Sequence, residues 1–204
     1  MHIAEGVLSA PVLIAGGCLA AAGVAWGLKK LPEEKLMGAG LIGAAFFVAS
    51  LVHVPVGVGN AHLILNGLAG ALLGPAAFPV IFVALLLQGI IFGFGGLTVI
   101  GVNTLTMGAS AVAAGWVFRR FASPDAAPSA RTDIAAFASG ALGVLLASLF
   151  TAAALAFSDE GFVAAAAALL AIHLPIAAAE GIITALSCRF ISRAAPQLFR
   201  NDRG

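Results

Sequence analysis

The chain has 204 residues, of which 61% are hydrophobic and only 9% are charged, and its formal net charge is +1 at pH 7. Its mean hydropathy of +1.09 lies far above the range of soluble globular domains, so we expect an integral membrane protein. No basic patch carries interleaved aromatic residues, which argues against nucleic acid as a partner.

Apolar runs separated by Gly, Pro or charged residues predict a polytopic, all-α helical bundle with about seven transmembrane helices. The runs cover residues 10–28, 36–52, 62–74, 78–92, 102–118, 134–157 and 162–191. As one helix, residues 62–92 would be about 46 Å long, whereas the hydrocarbon core is about 30 Å thick. We therefore expect a break at Gly74, Pro75 and Pro79 that divides this stretch into two crossings.

The last run is also too long for one crossing. The sequence His173-Leu174-Pro175 interrupts this run, and proline is favoured at the first position of a helix. We expect Pro175 to open the final crossing and residues 162–172 to form a short helix at the outer face.

The positions of Lys and Arg predict the orientation, because positive residues favour the cytoplasmic side. With seven crossings and the N-terminus outside, the inner segments hold every Lys and Arg: Lys29, Lys30, Lys35, Arg119, Arg120, Arg131, Arg189, Arg193, Arg200 and Arg203. The outer segments 53–61, 93–101 and 158–173 hold none. We expect one membrane domain over residues 1–204, with residues 119–132 as a cytoplasmic connector and the C-terminus in the cytoplasm.

The same layout brings all the histidines of the chain to the outer face. They are His2, His53, His62 and His173. Imidazole is the commonest side-chain ligand of transition metals, so this face is the predicted metal site.

The sequence MHI at the start predicts a chelate. A free amine on Met1, the deprotonated amide of His2 and Nδ1 of His2 form fused five- and six-membered rings in one plane. We take Met1 as the mature end, since no Lys/Arg-rich signal region precedes the first apolar run. Three nitrogens in a plane with one vacancy suit Ni²⁺ or Co²⁺, and also Cu²⁺, better than Zn²⁺, Mg²⁺ or Ca²⁺.

His62 is the candidate for the fourth nitrogen, because it follows a loop whose glycines allow the backbone to bend closely around an ion. We expect residues 1–9 to fold into the bundle as a metal-binding segment, with Ile3, Val7 and Leu8 buried. Met1, His2 and His62 are thus the predicted ligands.

Five further residues are expected around the ligands or on the access path. His53, Asn60 and His173 would orient the loop or hydrogen-bond the ligands, and Asn103 would turn inward. Glu180 must face the interior, because a charge inside a bilayer costs about 2.5 to 3.5 kcal/mol on insertion scales. There it would hold polar partners such as Gln88 or Asn103, help to neutralise the ion, or act in its release.

Four motifs resemble one known family. They are MHIAEGVLS at the start, VPVGVGNAHLILNGLAGALLGP in the middle, GGLTVIGVNTLTMG, and HLPIAAAEGIIT near the end. They are similar to the substrate-capture subunits of energy-coupling-factor cobalt and nickel transporters, the CbiM/NikM family. In that family a planar four-nitrogen site uses the terminal amine, the second residue and a histidine of the middle motif, which correspond to Met1, His2 and His62 here. The loop VPVGVGNAH departs from the commoner PGG-type loop and could tune the preferred metal.

The resemblance implies a multi-pass protein of the bacterial inner membrane. Its implied partners are a transmembrane coupling subunit, a cytoplasmic ATPase pair and a small accessory membrane subunit. The chain would not be an enzyme and would need no cofactor, its cargo being Co²⁺ or Ni²⁺, with a link to cobalamin biosynthesis if the cargo is cobalt. Its only lysines, Lys29, Lys30 and Lys35, lie outside any Walker loop.

Two alternatives remain open from the residues alone. A self-sufficient secondary carrier or channel for a divalent metal would use Glu180 as a relay. A membrane metalloenzyme would need a general base beside an open ligand position, and the outer carboxylates Asp159 and Glu160 lie in a solvated turn that gives it little support. Nothing in the sequence decides between cobalt and nickel.

Overall fold

The computed structural model describes residues 3–51, 53–56, 59–123 and 127–199. Seven helices form within these residues: α1 (Ala10–Lys29), α2 (Leu36–Ala49), α3 (Asn66–Leu73), α4 (Ala77–Phe92), α5 (Ile100–Phe121), α6 (Ala130–Ser158) and α7 (Val163–Ala194). A short antiparallel hairpin of β1 (His53–Val56) and β2 (Gly59–His62) connects α2 to α3, with His53 opposite His62. The helical bundle is as predicted, and the hairpin is an addition to it.

Local sequence signals explain several helix ends. Pro11 lies in the first turn of α1, where its missing N–H is not needed. The Ser129 hydroxyl accepts from the amide of Thr132 at 3.2 Å and caps α6. Gly93 ends α4 with a left-handed backbone, φ 67°. The segment between α5 and α6 is residues 122–129, shorter than the connector predicted at 119–132.

Contacts between helix ends divide the bundle into two ends. At one end, which we call the basic end, Arg189 of α7 pairs with Asp133 of α6 at 3.2 Å, and Gly27 of α1 lies against Pro75, which follows α3. Every Lys and Arg that the structure describes is at or near this end: Lys29, Lys30, Lys35, Arg119, Arg120, Arg131, Arg189 and Arg193. The opposite end, the hairpin end, carries the hairpin and residues 3–9.

Five segments are long and apolar enough to cross a bilayer, judged by length and composition. They are Ala10–Lys29, Asn66–Phe92, Ile100–Phe121, Ala130–Ser158 and Glu160–Ala194. The fourteen-residue α2 is shorter than a full crossing. The predicted break within Asn66–Phe92 is present, because α3 stops at Leu73 and Gly74 turns the chain with φ 58° before α4 begins.

The expectation of a break at Pro175 was wrong. The helix α7 runs without interruption over 32 residues, with Pro175 inside it, so residues 162–172 do not form a separate surface helix. Proline removes only the hydrogen bond to the carbonyl of Ala171. The neighbouring turns keep their helical bonds, since lipid and the adjacent α6 offer the backbone no other partner.

The short helix α3 is the most buried element of the bundle. Its residues from Asn66 to Leu72 are all buried. Glycines allow this close packing: Gly70 lies directly on the Ala111 carbonyl and Gly115 of α5, and Gly67 lies on Gly140 of α6. The helix α3 is therefore held between α5 and α6 by contacts from backbone to backbone.

These contacts predict that Gly70→Ala destabilises the protein. The added methyl group would overlap the Ala111 carbonyl, and such overpacking costs about 1 to 3 kcal/mol. Gly17→Ala in α1 is the matched control, because a methyl group there meets no atom within 4 Å and alanine favours a helix by about 0.5 to 1 kcal/mol. Thermal unfolding in detergent should show a lower Tm for Gly70→Ala alone. Equal Tm values for the two variants would contradict this packing.

Candidate metal-capture site

Residue 3 is fixed inside the bundle by the side chain of Asn103. The amide of Ile3 donates to Oδ1 of Asn103 at 3.0 Å, and Nδ2 of Asn103 donates to the carbonyl of Ile3 at 3.3 Å. Ile3 is 1% exposed and packs with Leu8, Val99, Val102 and Leu155. Both backbone polar groups of the residue that follows His2 are therefore satisfied by one buried side chain, and the expectation that Asn103 turns inward is confirmed.

Two further contacts hold residues 3–9 against the hairpin end. The amide of Ser9 donates to the hydroxyl of Ser158 at 3.2 Å, and the amide of Thr98 donates to the Glu5 carboxylate at 3.3 Å. Gly96, with φ 131°, lies beside the same carboxylate. The segment thus bridges α1, the loop before α5 and the last turn of α6.

His62 ends β2 and is 4% exposed. Its Nδ1 lies 2.6 Å from the carbonyl of Leu63, and because a carbonyl only accepts, Nδ1 carries the proton and Nε2 carries the lone pair. Burial, with a smaller contribution from His173, lowers the pKa of His62 to about 4, although the Leu63 bond opposes the shift. A neutral imidazole of this tautomer is the form that binds a metal through Nε2.

His173 lies on the buried face of α7 and is fully buried. Its Nδ1 donates to the carbonyl of Leu169, 2.7 Å away and one turn earlier. This bond fixes the same tautomer as in His62. Among the residues that the structure describes, Nε2 of His173 has no hydrogen-bond partner.

Glu180 lies two turns after His173 on α7 and is also fully buried. Oε1 accepts from the amides of Ile64 at 2.5 Å and Leu65 at 2.9 Å, and Oε2 accepts from the amide of Leu65 at 3.1 Å. The expectation that Glu180 faces the interior is confirmed, but its expected partners were wrong. Gln88 donates instead to the Ser50 hydroxyl, and Asn103 pairs with Ile3.

The carboxylate of Glu180 caps the N-terminus of α3. The capping position is Leu65, whose φ of 49° is left-handed and whose side chain has no oxygen to offer. At the other end of α3, Nη1 of Arg119 donates to the carbonyl of Gly70 at 3.0 Å. The helix dipole is thus matched by an anion at its positive end and a cation at its negative end. Sequence reasoning missed this role of Arg119, for which the only signal was a cation near the end of a span.

The predicted site residues fall into two groups. The structure describes His62, His173, Asn103 and Glu180, and brings His62 close to α7, which packs against β2 and α3. Met1 and His2 lie outside the described residues, as do the side chains of His53 and Asn60. Within the described residues, no group of three or more His, Cys, Asp or Glu could hold a metal.

Comparison with known proteins then identifies the family. Residues 2–198 match the model of the CbiM family, described as the cobalt uptake substrate-specific transmembrane region. This chain belongs to the CbiM family. Its relatives include the "Putative metal transport protein" of Haemophilus influenzae, 41% identical over 97% of this chain and 96% of that protein.

A solved structure shares the fold of this CbiM chain. The crystal structure of a transition metal transporter matches with a TM-score of 0.80 at 23% identity, covering 95% of this chain and 93% of the other. A fused relative, the "Putative fused cobalt transport protein CbiMQ" of Methanocorpusculum labreanum, is 31% identical over 98% of this chain but only 36% of that protein. As a member of this family, the chain is a substrate-specific membrane component of metal uptake.

The cap on α3 predicts that Glu180→Ala strongly destabilises this CbiM protein. The change would leave the amides of Ile64 and Leu65 without acceptors in a buried position, at a cost of about 3 kcal/mol in total. Glu180→Gln should lie between this variant and the wild type, because an amide oxygen still accepts. The measurement is thermal unfolding in detergent.

Thr184→Ala is the matched control, one turn further along the same buried face. Its hydroxyl is buried and has no hydrogen-bond partner among the described residues, so its removal should change stability by less than about 1 kcal/mol. A Tm for Glu180→Ala equal to that of Thr184→Ala would show that the cap contributes no stability.

Proposed function

We propose that this CbiM chain captures Co²⁺ or Ni²⁺ in a planar four-nitrogen site for an ATP-driven importer of the energy-coupling-factor type. The four donors are the amine of Met1, the amide and Nδ1 of His2, and Nε2 of His62. The remaining candidates serve the site without binding the ion in the plane: Asn103 and Glu180 hold the backbone beside it, and His53 and Asn60 belong to the hairpin that covers it.

The observation that carries the proposal is the pair of hydrogen bonds between Ile3 and Asn103. A chain terminus usually frays, but here the residue next to His2 is buried and held on both of its polar backbone groups. His2 and Met1 are within two residues, about 7 Å of extended chain, of that fixed point. The chelating nitrogens therefore start from an anchored position, which lowers the entropy lost when they close on an ion.

The second support is the imidazole of His62. Its Nδ1 donates to the carbonyl of Leu63. The next residues along the chain, Ile64 and Leu65, donate their amides to Glu180. A histidine oriented by a carbonyl on one nitrogen is the usual arrangement of a metal ligand. Four nitrogen donors in a plane select Ni²⁺, Co²⁺ or Cu²⁺ over oxygen-seeking cations.

The proposed orientation puts the hairpin end outside and the basic end in the cytoplasm of a bacterial inner membrane. It follows from the collection of positive residues at one end. In this orientation α1 to α7 alternate in direction and make seven passes, with α2 and α3 as short ones. The whole chain acts as one capture domain.

The energy for transport comes from partner subunits in this proposal. The fused relative named for CbiM and CbiQ supports a membrane partner, and an ATPase pair would drive the cycle. The rival hypothesis of a stand-alone carrier required Glu180 as a mobile relay. That role fits poorly with a carboxylate that accepts three hydrogen bonds from the backbone of Ile64 and Leu65.

The planar site predicts that a native N-terminus is required for capture. Acetylation of the Met1 amine, His2→Ala or His62→Ala should each weaken Co²⁺ and Ni²⁺ binding at least about 100-fold, because each removes a donor of the plane. Binding is measured by titration calorimetry, and elemental analysis gives the metal content of the purified protein. Unchanged affinity after both acetylation and His2→Ala would exclude this site.

A further arm of that experiment tests the anchor. Asn103→Leu removes both bonds to Ile3 at nearly constant volume, and we expect about tenfold weaker binding. Ser158→Ala is the matched control, since it removes a contact to Ser9, seven residues beyond His2. Equal affinities of these two variants would contradict a specific role of the Asn103 clamp.

Transport assays separate the importer from the stand-alone carrier. The chain alone in liposomes should show no uptake of ⁵⁷Co²⁺ above that of empty vesicles, with or without ATP. Vesicles that contain the partner subunits should accumulate the ion only when ATP is present. Uptake by the chain alone, lost in Glu180→Gln, would favour the carrier.

A further inference from the structure

The imidazole of His173 carries a lone pair for which the described fold provides no partner. The side chain is fully buried, its Nδ1 donates to the carbonyl of Leu169, and its Nε2 meets no donor within the described residues. A buried acceptor without a donor is unfavourable. An arrangement that fixes the ring through one nitrogen and leaves the other bare is typical of a metal ligand awaiting its ion.

His173 lies on the buried face of α7 that also carries Glu180, the residue that contacts the backbone following His62. His173 and Glu180 are seven residues apart on one face of α7, about 10 Å along its axis. Glu180 contacts Ile64 and Leu65, and the chain runs back from there through Leu63 to His62. The helix α7 also packs against β2, which His62 ends.

A planar set of four nitrogens leaves the two axial positions of an ion open. Ni²⁺ has eight d electrons and is satisfied by four strong donors in a plane. Low-spin Co²⁺ has seven, and its half-filled orbital points along the axis, where a fifth nitrogen stabilises it. A single axial imidazole would therefore favour cobalt over nickel, although both ions accept the plane.

We propose that Nε2 of His173 is the fifth, axial donor to the captured ion and biases this site toward Co²⁺. The proposal rests on the planar site described under the proposed function, and it assigns to one residue the discrimination that the four planar nitrogens lack. The bond from Nδ1 to the Leu169 carbonyl fixes the ring and leaves the lone pair on Nε2. Because α7 is continuous through Pro175, the ring is carried on a rigid helix and not on a loop.

Electron paramagnetic resonance of the cobalt-loaded protein tests the axial donor. The full chain with a native Met1 is purified in detergent and loaded with CoCl₂ without oxygen. The expected spectrum is that of low-spin Co²⁺, with each parallel line split into a triplet by one axial ¹⁴N. Protein whose histidine rings carry ¹⁵N should give a doublet instead. A wild-type spectrum without axial nitrogen splitting overturns the proposal even if no variant can be purified.

The variant His173→Ala should lose the triplet, and added imidazole should restore it. We expect its Co²⁺ affinity to fall about tenfold, while its Ni²⁺ affinity changes much less. Thr184→Ala, which removes another buried polar group from the same face of α7, should keep the triplet and both affinities. A triplet that persists in His173→Ala, or equal losses for the two ions, overturns the axial role.

The same measurements distinguish this proposal from the planar site beneath it. If His62→Ala or N-terminal acetylation leaves a low-spin signal intact, the planar site is wrong and the axial assignment is overturned with it. If those changes abolish the signal but wild-type protein lacks axial nitrogen splitting, the planar site stands and only the role of His173 is overturned.

Discussion

The architecture depends on satisfying the backbone of a short helix that begins in the middle of the bundle. The amides of Ile64 and Leu65 belong to buried residues that precede α3, and one carboxylate, that of Glu180, accepts from both. At the far end Arg119 donates to the carbonyl of Gly70. Without these two partners, the non-helical backbone around α3 would be prohibitively unfavourable inside a membrane. Discontinuous helices are a recurring way to build substrate sites in transporters, and α3 begins four residues after His62.

Residues 3–9 near the N-terminus are also held in place by contacts with the rest of the bundle. A free terminus gains little from ordering unless tertiary contacts repay the lost entropy. Here the contacts that offset the lost entropy are an apolar cluster around Ile3 and Leu8 and the two hydrogen bonds with Asn103. These contacts all come from the protein itself and involve neither of the first two residues. In the proposed site, a chelate formed by the residues before Ile3 would therefore begin from an anchored position.

The features that followed from the sequence are those set by local composition. Hydropathy and the positions of Gly, Pro and charged residues predicted the helical membrane bundle, the break at Gly74 and the inward face of Glu180. Each of these depends on the cost of placing particular groups in lipid. The errors concern partners that only the tertiary structure brings together. Pro175 was expected to begin a new helix, although a helix packed along α6 tolerates the loss of one bond. Likewise, no local pattern could pair Glu180 with amides 115 and 116 positions earlier in the chain. The same reasoning could not have found the left-handed backbone of Leu65, since leucine rarely adopts it.

The charges around α3 also constrain how a dication can be held beside it. Glu180 and Arg119 contact opposite ends of an eight-residue helix, about 12 Å long, and each is engaged by the end of the helix dipole that it complements. The carboxylate is therefore already balanced by the helix, and it is a weak counter-ion for a metal at His62. In the proposed site the missing negative charge arises from the ligand set, since the His2 amide loses its proton on binding. An ion that can drive this deprotonation is accepted, whereas Mg²⁺ or Ca²⁺, which do not displace amide protons, would remain an uncompensated double charge in a buried site. In the proposed site, selectivity against the abundant cations thus has the same cause as the capping of α3, namely the low-dielectric surroundings.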